Sequence, residues 1–185
     1  MVGDPDRDNE PIRKPFGWGL SSAFTPEETV PQLGLYIDAA AGTVLTSFDG
    51  NLGPLSYLKY DITNLVHYAR RNARVFLVGA GGGRDILAAL VFEQPSIVAA
   101  EVNDDIVATV HDRFGDFTGH LDRIPAVRIV TDEARSILAR ETDPSDAIQI
   151  SFIDTWAATA SGAFFLPEHQ LYTVEAFSLF LSRLE

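Results

Sequence analysis

The residues best placed to do chemistry follow a short apolar run, Val75-Phe76-Leu77-Val78, and read Gly79-Ala80-Gly81-Gly82-Gly83-Arg84-Asp85. Glycine permits a tight turn and lets a ligand lie close against the backbone. A helix beginning just beyond would turn its free N–H groups toward that ligand. Such a loop alone serves equally well as a plain turn. Glu101 strengthens the functional reading. It ends the next apolar run, 20 residues after Gly81, where a carboxylate accepts hydrogen bonds from both hydroxyls of a ribose. Asp132 follows a third run, Val127-Arg128-Ile129-Val130-Thr131, where a side chain reaches an adenine amino group. The plainer reading is that Thr131 or Asp132 caps the helix that follows. Together these positions point to recognition of an adenosine-shaped ligand. The third glycine of the dinucleotide fingerprint falls on Arg84, and no phosphate-loop lysine follows, so dinucleotides and triphosphates are disfavoured.

The elements that must hold these residues alternate. Strands are expected over 75–78, 97–100, 127–130 and 147–153, with helices near 84–92, 104–114 and 132–140 between them. Short apolar strands joined by such helices give right-handed crossovers and a parallel sheet. The fold class is therefore α/β, a Rossmann-like doubly wound sheet, and Gly79-x-Gly81-x-Gly83 resembles the loop of the S-adenosylmethionine-binding class. A last helix near 173–184 presents Phe177, Phe180, Leu181 and Leu184 on one face. The 147–153 strand would then be left as an apolar edge. The expectation is a domain cut short after its fourth strand, or an edge covered by something else. Upstream, residues 1–30 read as an irregular arm. A β-hairpin element spans 31–56, its strands lying within 33–48 around a turn at Ala39 to Gly42. The nucleoside-binding domain occupies 57–185. From Asp61 the pattern is helical, with Ile62, Leu65, Val66 and Ala69 on one stripe. His67 falls outside that stripe and is expected in solvent.

The fourth strand runs into Ser151-Phe152-Ile153-Asp154-Thr155-Trp156, then small residues over 157–163, then Phe164-Phe165 and Leu171-Tyr172-Thr173-Val174-Glu175-Ala176. Here the chain resembles the polyamine aminopropyltransferases, the spermidine synthase-like proteins, which have the class I S-adenosylmethionine-dependent methyltransferase fold. The family motif in this region reads D-V-I-I-V-D-S-S-D-P. The resemblance covers about residues 55–184; its glycine, Glu101 and Asp132 elements are shared with many methyltransferases. It implies that Gly79, Gly81 and Gly83 hold the nucleoside and sulfonium side, Glu101 the ribose and Asp132 the adenine. It implies a cofactor that is decarboxylated S-adenosylmethionine or S-adenosylmethionine, no metal, and a small polyamine-like amine as acceptor. Asp154 matches the second aspartate of D-S-S-D. The first, the family's general base, falls on Ser151. A serine hydroxyl is not ionised at neutral pH, so Asp154 takes the role, the acceptor differs, or the activity is lost. Asp154 and Ser151 are thus the catalytic candidates, with Asp85 and Trp156 as acceptor-binding ones. Trp156 could equally anchor a loop, Phe164 and Phe165 fit a core, Asp61 fits a helix cap, and Asp85 a first-turn dipole partner. Tyr57 and Tyr60 lie close enough in sequence to reach the pocket. The 157–163 stretch is a lid or a passive connector.

Three functions remain open. The first is aminopropyl transfer to an amine. The second is methyl transfer, for which Arg84 could hold the cofactor carboxylate. The third is a nucleoside-binding module without chemistry. Bulk properties narrow the partners. A formal net charge of −12 opposes a phosphate backbone and suits a cationic ligand, though it also serves plain solubility. The chain has 46% hydrophobic and 22% charged residues and no cysteine, which excludes disulfides and thiolate zinc sites. The four histidines, at 67, 111, 120 and 169, have no metal-ligand spacing. No apolar run reaches membrane-span length. The polar, acidic N-terminus is not a targeting peptide, so a cytoplasmic location is expected, with no membrane contact by this segment, as a free protein or the soluble part of a membrane-associated one. A homo-oligomer is allowed.

Overall fold

The computed structural model describes residues 15–25, 29–37, 41–151 and 171–185. Four parallel strands form the central sheet: β3 (Arg74–Val78), β4 (Ser96–Glu101), β5 (Val127–Thr131) and β6 (Ala147–Ile150), in the order β5-β4-β3-β6. Each is a short apolar run whose side chains alternate between faces. Val75, Leu77, Ile97 and Ala99 enter one core layer with Ile86, Leu87 and Ala88 of helix α2 (Arg84–Val91). Phe76, Val78, Val98 and Ala100 face the other way, onto α5 (Ala134–Arg140) and α6 (Val174–Ser182). Helices therefore cover both faces, as a parallel sheet requires.

The N-terminal hairpin is present. Strands β1 (Gln32–Ile37) and β2 (Ala41–Thr46) pair antiparallel. Leu35 and Leu45 pack with Val110, supported by Ile106, Phe114 and Phe117. Ile106 comes from α3 (Asp104–Ala108), Val110 from a π-helical turn (Thr109–Arg113) and Phe117 from α4 (Gly115–Thr118), with Phe114 at the junction between the last two.

Two readings of helical pattern need correction. Residues 53–60 and 62–64 are 3₁₀ turns, and the α-helix that follows, α1, covers only Val66–Ala69. A 3.6-residue stripe does not apply to such turns. Ile62 is 66% and Leu65 58% exposed, while His67 is fully buried. In α6 the buried pair is Ala176 and Phe180; Phe177, Leu181 and Leu184 are exposed. Ala176 and Phe180 are one turn apart, so only a narrow stripe of this helix meets the sheet.

His67 stacks on Phe92, ring centroids 5.2 Å apart, and its Nδ1 lies 3.3 Å from Gln94 Nε2. Burial pushes its pKa down to about 4. An unfolded histidine titrates near 6.5. Only the unfolded chain then takes up this proton as pH falls, so stability drops between about pH 6.5 and 4. The expected loss over that range is about 3 kcal/mol from this residue. Urea titrations of the native chain and His67→Gln at pH 7 and pH 4.5 check it: the native chain should lose distinctly more stability.

At the sheet edge, the start of β6 is not bare. Ser145 bridges Leu184 in parallel, accepts from the Glu185 amide at 3.0 Å and donates to the Arg183 carbonyl at 2.8 Å. No helix among the described residues is long and apolar enough to cross a membrane.

Candidate functional site

The sheet order creates a switch point. From β3 the chain moves outward through β4 and β5, then returns to the other side of β3 with β6. Open α/β sheets bind ligands at that crevice, beyond the carboxyl ends of the strands. The register sets what meets there. Val78 pairs with both Ala100 and Ile150, and Glu101 with Thr131. Gly79, Glu101 and Ser151 therefore end their strands at one level, with Asp132 one residue further on.

The glycine loop has the backbone that glycine alone adopts freely. Gly79, Gly81 and Gly83 have φ of 83°, 49° and 86°. Glu101 turns back onto it. Its Oε2 accepts from Gly81 N at 2.9 Å and its Oε1 from Asn103 N at 3.0 Å. The carboxylate is buried, yet each oxygen keeps a lone pair for a further donor. Asn103 also caps α3, accepting from the Asp105 and Ile106 amides. An Asn followed by two acidic residues was a legible cap signal.

Asp132 is not the cap of α5. Glu133 is, accepting from the amides of Arg135 and Ser136 at 3.0 and 2.9 Å. Asp132 instead accepts from Glu133 N at 2.8 Å and from Arg140 Nη2 at 2.5 Å. The Arg140 hydrogen bond, followed by that of the Glu133 amide, holds its pKa below the usual carboxylate range. Its backbone N–H donates to the Glu101 carbonyl at 3.1 Å, so the two acids sit side by side on the rim.

Two further parts of this site lie far from the loop in sequence. The Gly82 amide donates to Thr43 Oγ1 at 3.1 Å, and a Cβ on Gly82 would come within 2.4 Å of the Val44 carbonyl oxygen. The hairpin therefore rests on the glycine loop. On the other flank is a buried charge cluster. Arg84 donates to Asp61 at 2.5 Å, to Asp85 at 3.0 Å and to Thr63 Oγ1 at 3.0 Å. The Asp61 side chain is wholly buried and also accepts from Gly19 N, Thr63 N and Thr63 Oγ1. Burial would raise its pKa, but the Thr63 hydroxyl and amide, Arg84 and Gly19 outweigh it, leaving it lowered. Asp85 is the opposite case. Burial raises its pKa, Asp61 adds to this, and Arg84, Ser151 and Gln149 only partly oppose it.

Arg84 is thus not a free donor for a cofactor carboxylate; it is buried and committed to two aspartates. Asp61 does cap its turn, through Thr63 N, but it also anchors Arg84. Asp85 lies in the first turn of α2 as expected, yet faces the guanidinium and β6. Tyr57 is buried with its hydroxyl accepting from Gln32 at 3.2 Å, while Tyr60 is exposed and packs on Phe24. Asp154, Trp156, the 157–163 stretch, Phe164, Phe165 and His169 lie outside the described residues.

No protein-family model matches the chain, and no curated protein matches it either. Solved structures do. A spermidine synthase in complex with the transition-state analogue AdoDATO is similar over 90% of this chain and 51% of its own, at 14% identity and a TM-score of 0.50. The spermidine synthase of Thermotoga maritima is similar over 84% of this chain and 50% of its own, at 14% identity and a TM-score of 0.51. The fold is that of the class I methyltransferases. This class I chain spans about half the length of the two spermidine synthases it matches. Its glycine loop, Glu101 and Asp132 stand at consecutive strand ends of one sheet, as the alternation of strands and helices predicted.

Proposed function

We propose that the crevice binds the adenosyl part of decarboxylated S-adenosylmethionine or S-adenosylmethionine, and that the chain transfers an aminopropyl group to a small amine. The observation that carries this reading is the Glu101 carboxylate, buried against Gly81 N at 2.9 Å with acceptor capacity left for a ribose diol. In it, Gly79, Gly81 and Gly83 line the nucleoside and sulfonium side, and Asp132 takes the adenine amino group. Asp154 and Trp156 belong to the acceptor end, with Asp154 holding an ammonium of a polyamine-like acceptor.

The chemistry asks little beyond alignment and proton removal. The neutral amine attacks the carbon next to the sulfonium. The N–C bond forms as the C–S bond breaks, its electron pair goes to sulfur, and the amine gives up a proton. The commitment of Arg84 to Asp61 and Asp85 favours the decarboxylated cofactor, because it takes away the nearby cation that a carboxylate would seek. Methyl transfer from S-adenosylmethionine is the competing reading, since the two cofactors share the nucleoside.

Calorimetry of the purified chain separates them. Decarboxylated S-adenosylmethionine and methylthioadenosine are expected to bind at least about tenfold tighter than S-adenosylmethionine, a difference of about 1.4 kcal/mol. Equal or tighter binding of S-adenosylmethionine favours methyl transfer. No binding of any of the three overturns the nucleoside site.

A further inference from the structure

The family resemblance puts a serine where a carboxylate base is expected, and the fold places a carboxylate directly behind that serine. Ser151 ends β6 level with Gly79. Its Oγ accepts from Gln149 Nε2 at 2.9 Å. Its hydrogen goes to Asp85, which takes side-chain hydrogen bonds from Ser151 and from Gln149. The hydroxyl is therefore oriented: its proton points at a buried carboxylate, and it keeps a lone pair for another donor.

The charges around Asp85 leave it short of a partner. Arg84 is shared between two aspartates, Asp61 at 2.5 Å and Asp85 at 3.0 Å. Asp61 is further satisfied by Thr63 and Gly19, so Arg84 is drawn more strongly to it. Two acids on one base leave a net charge of −1, in a site where an uncompensated charge is costly. Among the described residues, Tyr57 is buried beside Asp61 and Arg84 and brings no positive charge. Burial pushes the Asp85 carboxyl up, toward accepting a proton.

A second observation points to what is bound. Gln149 is 6% exposed, and its Oε1 has no hydrogen-bond donor among the described residues. Nearly all buried acceptors are paired. Its Nε2 meets Ser151 Oγ at 2.9 Å and the Thr63 carbonyl at 3.4 Å and also hydrogen-bonds Asp85, so Oε1 is left to accept an N–H or O–H brought by a ligand.

We propose that Ser151 and Asp85 together form the proton acceptor of the site, with Gln149 Oε1 accepting a second N–H of the same primary amine. This deepens the aminopropyl-transfer reading and rests on it. As the amine nitrogen bonds to carbon and the C–S pair returns to sulfur, the nitrogen's proton passes to Ser151 Oγ. The Ser151 proton moves at the same time to the Asp85 carboxylate, and Asp85 later returns it to solvent. No net charge appears on Ser151. Ser151 touches the amine; Asp85 acts through it. The site then takes a nucleophile with at least two N–H groups, a primary amine rather than a tertiary amine or a carbon acid.

The test is release of methylthioadenosine by the full chain from decarboxylated S-adenosylmethionine, with primary diamines of increasing length, from pH 6 to 10. Calorimetry with methylthioadenosine runs beside it as the measure of folding and of the nucleoside site. Ser151→Ala and Asp85→Asn should each bind methylthioadenosine within about threefold of the native chain and lose about 100-fold in kcat with little change in cofactor KM. The loss in kcat should persist at pH 10, where the free amine is abundant, in both. Ser151→Asp, which places a carboxylate on β6 itself, should restore most of the rate. Asp154→Asn should raise the acceptor KM and leave kcat within about threefold of the native value. If Asp85→Asn does not fold, Ser151→Ala decides alone. Turnover by Ser151→Ala within about tenfold of the native kcat overturns the proposal and leaves the nucleoside site standing. So does methylthioadenosine binding without turnover on any primary diamine, because a site with its proton acceptor in place should react. Loss of methylthioadenosine binding by the native chain overturns the underlying reading instead.

Discussion

Asp61→Ala is expected to destabilise the chain by about 3–5 kcal/mol, a large share of the stability of a domain this size. The change removes the 2.5 Å partner of Arg84 and leaves the guanidinium buried with Asp85 alone. It also strips the acceptor from the amides of Gly19 and Thr63, so the 15–24 segment and the 3₁₀ turn at Ile62–Asn64 lose their common anchor. Leu20, which bridges Asp61, goes with them. Asp61→Asn keeps one acceptor oxygen and should fall between the two. Equilibrium urea unfolding followed by circular dichroism measures it, and a loss under about 1 kcal/mol would mean that Arg84 finds water or another partner in place of Asp61.

Glu101→Ala should weaken methylthioadenosine binding by about 100-fold or more. Two hydrogen bonds to a charged acceptor contribute roughly 1.5 kcal/mol or more each, and 1.4 kcal/mol is about tenfold in affinity. The substitution also releases Gly81 N and Asn103 N, so the loop loses its internal support before the ligand arrives. Glu101→Gln turns one acceptor into a donor facing Gly81 N–H or the ribose and should retain only part of the affinity. Calorimetry reads both. A change of less than about fivefold in the alanine variant would remove Glu101 from the nucleoside site, whatever the fold.

The strands and their order of appearance were legible because a buried parallel sheet needs short apolar runs, and this chain marks β3, β4 and β5 with a glycine or an acid at the end. Helix α2 followed from the glycines before it, and α6 from the spacing of its apolar residues; its cap, Thr173, whose hydroxyl accepts from Ala176 N at 3.1 Å, emerged only in the structure. The segment from 53 to 69 was not legible. Its apolar residues imitate a helical stripe, while the residues it buries include Asn64 and His67. Those are tolerated only because distant groups satisfy them: Asn64 Nδ2 donates to the Leu58 carbonyl at 2.8 Å, and Gln94 meets His67. No local pattern encodes such partners. The cap of α5 escaped for a similar reason, since Glu133 is a less usual cap than the Asp132 before it.

The candidate site divides along the same line. Gly79, Gly81, Gly83, Glu101 and Asp132 were visible because each sits at a strand end, where spacing along the chain converts directly into position. Arg84 and Asp85 were visible as residues but not in their commitments. Those depend on Asp61, 23 residues earlier, and on Gln149 and Ser151, more than 60 residues later. Thr43 gave no signal, because its task is defined by an amide 39 residues away.

The lean of β2 on Gly82 gives the hairpin a say in what the parallel-sheet half can become. A side chain at position 82 would strike the Val44 carbonyl, so drift at that position is barred by a piece of chain outside the βα unit. Transplanting the glycine loop without its hairpin would lift that bar and remove the Thr43 hydroxyl that steadies one of its amides. In this chain the loop and the hairpin are heritable only as a pair.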